Sequence, residues 1–190
     1  MSRLATRSES DLQAETLDAL SAIRRNGRIP EVYLQFANSE SALRAYLQME
    51  RCILLGSLSN TEAEAVKLWL SQKTGCDFCL SVHWTKTEET GLSHGDRMAI
   101  RTGSPTSDKR IDILLQLSEH LFTTPGALSE NLLNQARDAG VSDQNLVDLT
   151  MLLSTIFFTN ITNHINDTRS SLPPAPPLES QYVTKLTRGV

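Results

Sequence analysis

The sequence predicts an all-α fold. Three observations carry it: apolar residues recur at helical spacing along most of the chain, no segment alternates with period two, and Gly, Pro and capping residues divide the periodic stretches at short intervals. Residues 12–25 place Leu12, Leu17, Leu20 and Ile23 at roughly helical spacing and end at Asn26-Gly27. A short helix is expected from Pro30 to Phe36. A longer one over 39–55 buries some of Leu43, Tyr46, Leu47 and Leu54 and stops at Gly56. Thr61-Glu62-Ala63-Glu64 has the form of a capping box and opens a helix that runs through Val66, Leu68, Trp69 and Leu70 to Thr74-Gly75. Another opens near Cys76 and closes at Gly91. Further helices are read over 93–101, 107–122, 127–139 and 144–168, punctuated by Gly103, Pro105, Pro125, Gly126 and Gly140.

From Ser170 the texture changes to Ser170-Ser171-Leu172-Pro173-Pro174-Ala175-Pro176-Pro177-Leu178, which cannot be helical. Residues 1–169 are therefore read as a single domain and 170–190 as a proline-rich tail. That tail is either solvated or laid over a neighbouring subunit, with Leu172, Leu178, Tyr182 and Val183 as anchors.

Composition excludes several classes. The chain has 190 residues, 39% of them hydrophobic and 21% charged, which suits one domain with its own core. A net charge of −4 gives no field directed at nucleic acid. The N-terminus carries no apolar leader-like run, and the window Met151-Leu152-Leu153-Ser154-Thr155-Ile156-Phe157-Phe158 falls short of the ~20 residues of a membrane span. A cytoplasmic protein without membrane or nucleic-acid partners is expected. Three cysteines are too few for a disulfide scaffold, and in a reducing compartment a Cys-x-x-Cys pair points to redox chemistry or a metal.

That pair is Cys76-Asp77-Phe78-Cys79. On a helix its Cα atoms stand ~5 Å apart, within disulfide range, so the bond can open and close with little backbone movement. The helix N-terminus favours a thiolate, and His83, four residues beyond Cys79, is placed to take the thiol proton, leaving Cys76 as resolving thiol. Glu64, twelve residues before Cys76, reads either as a solvated capping residue or as a carboxylate that orients His83. A zinc site would need His94 or His164 to complete it, so a redox dithiol is the favoured reading, with no metal and no cofactor. Haem attachment is excluded by Leu80 after the second cysteine. Cys52 reads as a small buried hydrophobe. His120 has no constellation around it, and Trp69 and Trp84 read as packing residues.

The run Glu64-Ala65-Val66-Lys67-Leu68-Trp69-Leu70-Ser71-Gln72-Lys73-Thr74-Gly75-Cys76-Asp77-Phe78-Cys79-Leu80-Ser81-Val82-His83, followed by Gly91-Leu92-Ser93, resembles the AhpD-like alkylhydroperoxidase branch of the carboxymuconolactone decarboxylase family. The similarity of layout spans about residues 29–167. It implies an AhpD-like multi-helix orthogonal bundle, assembly into trimers or hexamers, and a thiol peroxidase acting on organic hydroperoxides. It further implies Cys79 as peroxidatic thiol, Cys76 as resolving thiol, His83 and Glu64 as proton relay, and a lipoylated or thioredoxin-like reductant. The decarboxylase branch lacks the cysteine pair, so its chemistry is not carried over. Phe78 departs from the branch, where a histidine can precede the second cysteine. Relatives often carry Asn followed by a basic residue or His near the chain's last helix. Asn163 and His164 accordingly read either as site-lining residues or as the solvent-facing end of a polar helix.

Overall fold

The computed structural model describes residues 2–124 and 126–178. Among them the regular structure is helical, with one isolated backbone bridge between Arg25 and Arg28 and no strand. The helices are α1 (Ala14–Ser21), α2 (Glu31–Phe36), α3 (Glu40–Leu54), α4 (Asn60–Thr74), α5 (Asp77–Glu89), α6 (His94–Thr102), α7 (Lys109–Thr123), α8 (Glu130–Asp138) and α9 (Asp143–Asn166). Each matches an element read from the sequence. The starts of α3, α4, α6, α8 and α9 are capped by the side chains of Ser39, Ser59, Ser93, Ser129 and Ser142, and that of α7 by Asp108.

Helix α4 is the centre of the bundle. Its residues from Glu62 to Ser71 are all buried, and α5, α6, α7 and α9 pack around it. The main core joins Val66, Leu68, Trp69 and Leu70 of α4 to Ile111, Leu114 and Leu117 of α7 and Leu149, Leu152 and Ile156 of α9. Burial of each such aliphatic side chain contributes ~1.5–3 kcal/mol. A second, smaller core under α1–α3 gathers Leu12, Leu20, Ile29, Phe36, Ala37 and Leu43. Phe158 of α9 joins the two, edge-on to Phe36 and stacked on Tyr46.

Several expectations are corrected. The α4 capping box uses Ser59 and Glu62: Ser59 has extended backbone, its hydroxyl accepts from Glu62 N, and Glu62 accepts from Ser59 N. Thr61 and Glu64 already lie inside the helix. Of the residues offered for the buried face of α3, Leu43 is in the core and Leu54 is 75% exposed, with Ile53 taking the core-facing position at that end. Cys52 is half-buried rather than buried. Helix α9 has 24 residues and contains an 18-residue window of mean hydropathy 1.2, so it is long and apolar enough to span a membrane by length and composition alone. In the bundle its stripe Leu149, Leu152, Ile156, Asn160 and Asn163 is buried. In the described part of the tail, the Arg101 guanidinium donates to the Pro176 carbonyl at 2.6 Å. Leu172 is exposed, and Tyr182 and Val183 lie outside the described residues.

Candidate active site

The cysteine pair sits where two helices share a residue. Gly75 ends α4 in the left-handed region at φ 70°, which lets Gly75 N bond Gln72 O and Cys76 N bond Ser71 O. Cys76 then serves as N-cap of α5, with its sulfur accepting from Cys79 N at 3.3 Å. The two cysteines form a disulfide with Cα atoms 5.3 Å apart. Both are nearly closed to solvent, at 2% and 3% exposure.

On α5 the side chains of Cys79 and His83 share a face. Opposite them, α4 presents Glu64. His83 Nδ1 and Glu64 Oε2 are 2.7 Å apart, both side chains buried. A carboxylate only accepts, so Nδ1 carries the proton and Nε2 keeps its lone pair. Burial opposes the charge on Glu64, but His83, Lys67 and Lys86 outweigh it and hold the carboxyl at about 2. Burial lowers His83 below its ordinary value by more than Glu64 restores, and Lys67 and Lys86 lower it further. The arrangement is an ionised carboxylate beside a neutral imidazole, which is a base competent to take a thiol proton.

From α9, Asn163 Nδ2 donates to Cys79 Sγ at 3.4 Å, while its carbonyl oxygen is buried without a partner. One turn earlier, Asn160 donates to Thr74 Oγ1 at 2.8 Å and likewise leaves its carbonyl unpaired. The polar end of α9 thus points inward, toward the sulfurs. His164, one residue and about 100° further round the helix, is exposed and stands apart from the pair.

The structure thus brings together Cys76, Cys79, His83, Glu64 and Asn163, and leaves His164 out. Sequence reasoning missed Lys67, whose buried ammonium lies 3.1 Å from Glu50 and 3.5 Å from Glu64, and Lys86 at 3.9 Å from Glu64. A lysine one turn beyond Glu64 on an apolar helix is the signal that would have found it. His94 meets the Trp84 ring edge-on, and among the described residues no group of three or more His, Cys, Asp or Glu is arranged to hold a metal. Trp69 packs in the core, edge-on to Phe122, and Trp84 carries the Arg97 guanidinium 4.3 Å above its ring.

This bundle is an AhpD-like fold. It aligns over 95% of this chain and 94% of the other, with TM-score 0.78 and 15% identity, with the alkylhydroperoxidase AhpD core of an uncharacterized peroxidase-related protein from Ralstonia eutropha JMP134. The debrominase Bmp8, in complex with 2,3,4-tribromopyrrole, aligns over 98% of this chain and 96% of its own, with TM-score 0.70 and 15% identity. In sequence, the uncharacterized protein YdfG of Bacillus subtilis (strain 168) is 22% identical over 117 residues, covering 60% of this chain and 79% of that protein. No protein-family profile matches the chain. The scaffold is therefore one used by peroxidase-related proteins and by at least one enzyme of different activity.

Proposed function

We propose that the protein is a thiol-dependent peroxidase of the AhpD-like branch of the carboxymuconolactone decarboxylase family, reducing organic hydroperoxides through the Cys76/Cys79 dithiol. The observation that carries this reading is the buried 2.7 Å contact between His83 and Glu64 on the two helices that frame the sulfurs. In the reduced protein, His83 Nε2 takes the Cys79 thiol proton, and the thiolate attacks the distal oxygen of the hydroperoxide. The O–O bond breaks, Cys79 becomes a sulfenic acid, and the alkoxide takes the proton from His83 and leaves as the alcohol. The Cys76 thiol then attacks the sulfenic sulfur, water leaves, and the disulfide forms. An external dithiol, from a lipoylated or thioredoxin-like protein, returns two electrons and two protons. A cytoplasmic location suits such a cycle.

The test is hydroperoxide turnover with a dithiol donor. Cys79→Ser is expected to abolish turnover while the helical fold persists; a Cys79→Ser protein with full activity overturns the assignment. The second reading is a disulfide reductase or redox sensor on the same scaffold. It draws support from Cys76, whose sulfur accepts a first-turn amide of α5, a placement that stabilises a thiolate for exchange with protein partners. Hydroperoxide rates no faster than those of a free thiol, with ready reduction of the disulfide by a partner dithiol, select that reading.

A further inference from the structure

We infer that Lys67 is a positioning residue that sets the basicity of His83, by dividing its ammonium between the carboxylates of Glu50 and Glu64. This rests on the peroxidase reading only in naming His83 as the base. The side chain of Lys67 is 4% exposed, and that of Glu64 is 5% exposed. Lys67 bonds Glu50 Oε2 at 3.1 Å and lies 3.5 Å from Glu64 Oε1, while the other Glu64 oxygen holds His83. Each carboxylate oxygen of Glu64 thus faces a different partner: an imidazole on one side and a fixed cation on the other.

Stability alone does not account for this lysine. Withdrawing an ammonium from water costs several kcal/mol, and apolar replacements of buried ion pairs are often as stable or more so. What a cation here does achieve is electrostatic. An isolated buried carboxylate 2.7 Å from an imidazole would draw a proton onto it and leave it protonated, unable to act as a base. A shared ammonium cancels part of that pull. Glu50, on α3 with its side chain 26% exposed, in turn restrains how completely Lys67 serves Glu64.

The charged and titratable groups around the pair come from four helices. Glu64 and Lys67 lie on α4, Lys86 and Cys79 on α5, Glu50 and Tyr46 on α3, and Tyr33 on α2. Burial and the Glu50 charge raise Tyr33 and Tyr46, so both phenols stay neutral alongside. Helix α9 faces the sulfurs with Asn163, which does not titrate. Lys86, at 3.9 Å and 42% exposed, is a weaker and solvent-screened partner. Lys67 and Glu50 are therefore the two charges through which His83 can be tuned in opposite directions.

The test is an NMR titration of the His83 ring in the reduced full-length protein, which reads its midpoint whether or not the protein turns over peroxide. Lys67→Met removes the cation and is expected to raise the midpoint by about one pH unit. Glu50→Gln leaves Lys67 wholly to Glu64 and is expected to lower it, while Lys67→Arg stays near wild type. A midpoint unmoved in Lys67→Met, or moved in the same direction by Lys67→Met and Glu50→Gln, overturns the inference. Should Lys67→Met fail to fold by circular dichroism, an unmoved midpoint in Glu50→Gln overturns it alone. Absent hydroperoxide turnover in the wild type removes the peroxidase reading and leaves this titration interpretable.

Discussion

Glu64 is ionised where burial opposes its charge, and this gives the fold a defined sensitivity to acid. In the unfolded chain its carboxyl titrates near 4.5; in the bundle it is held at about 2. Because the folded value is the lower one, the stability it contributes is complete above about 4.5 and is lost as pH falls through about 2, a step on the order of 3 kcal/mol. His83 acts in the same direction: its folded value lies below the ordinary 6.5, so its contribution is complete above 6.5 and declines as pH falls below that. Urea unfolding from neutral to acid pH is expected to show a smaller loss for Glu64→Gln than for wild type, and equal losses would mean that Glu64 is not ionised in the fold. At this scale the cysteine pair and His83 were legible because helical periodicity converts spacing on one helix into proximity, whereas Glu64, on the preceding helix, was assigned beside His83 only through the family resemblance. Lys67 was not, because a lysine in an apolar helix ordinarily reads as a stem lying along the surface with its charge in water. Asn163 and His164 could be separated only by knowing which face of α9 meets α5.

Among the elements, the turn at Gly75 is the one on which the site depends. Its backbone at φ 70° closes α4 and delivers Cys76 directly to the start of α5. Nothing lies within 4 Å of a Cβ built there, so the demand is for the left-handed conformation and not for space. Gly75→Ala is therefore expected to destabilise the fold by ~1–2 kcal/mol in denaturant unfolding. A change within error would show that the turn tolerates a side chain freely. Helix identities were legible throughout, since caps and glycines lie at the ends of nearly every periodic run. Their exact starts were less so. Two hydroxyls, Ser59 and Thr61, each stand three residues before a glutamate, and only the extended backbone at Ser59 distinguishes the cap from a residue already in the helix.

For the whole molecule, the smaller core under α1–α3 supplies Glu50, while the main core supplies Glu64 and His83, so the charge network ties the two cores together as Phe158 does. The outer face of α9 leaves Val147 68%, Phe157 43% and Ile165 57% exposed. Val147 and Ile165 share one face of α9, and that exposure is in keeping with the proposal of a homo-oligomer, a trimer or hexamer, in which the proline-rich tail docks on a neighbouring subunit. Light scattering is expected to give a multiple of 21.1 kDa, and a monomer mass at working concentration would remove that proposal. An assembly was expected only by resemblance, because periodicity reports a buried face without saying which chain buries it. The all-round burial of α4 between Glu62 and Ser71 has a consequence for anyone redesigning this protein. The stretch from Glu62 to Ser71 has no solvent face and so no position where a change is silent, and in it the residues that fill the core alternate with those that hold the charges. Engineering for heat tolerance belongs on outlying helices such as α8, whose only buried residue is Ala136, where sequence can change without reaching the sulfurs.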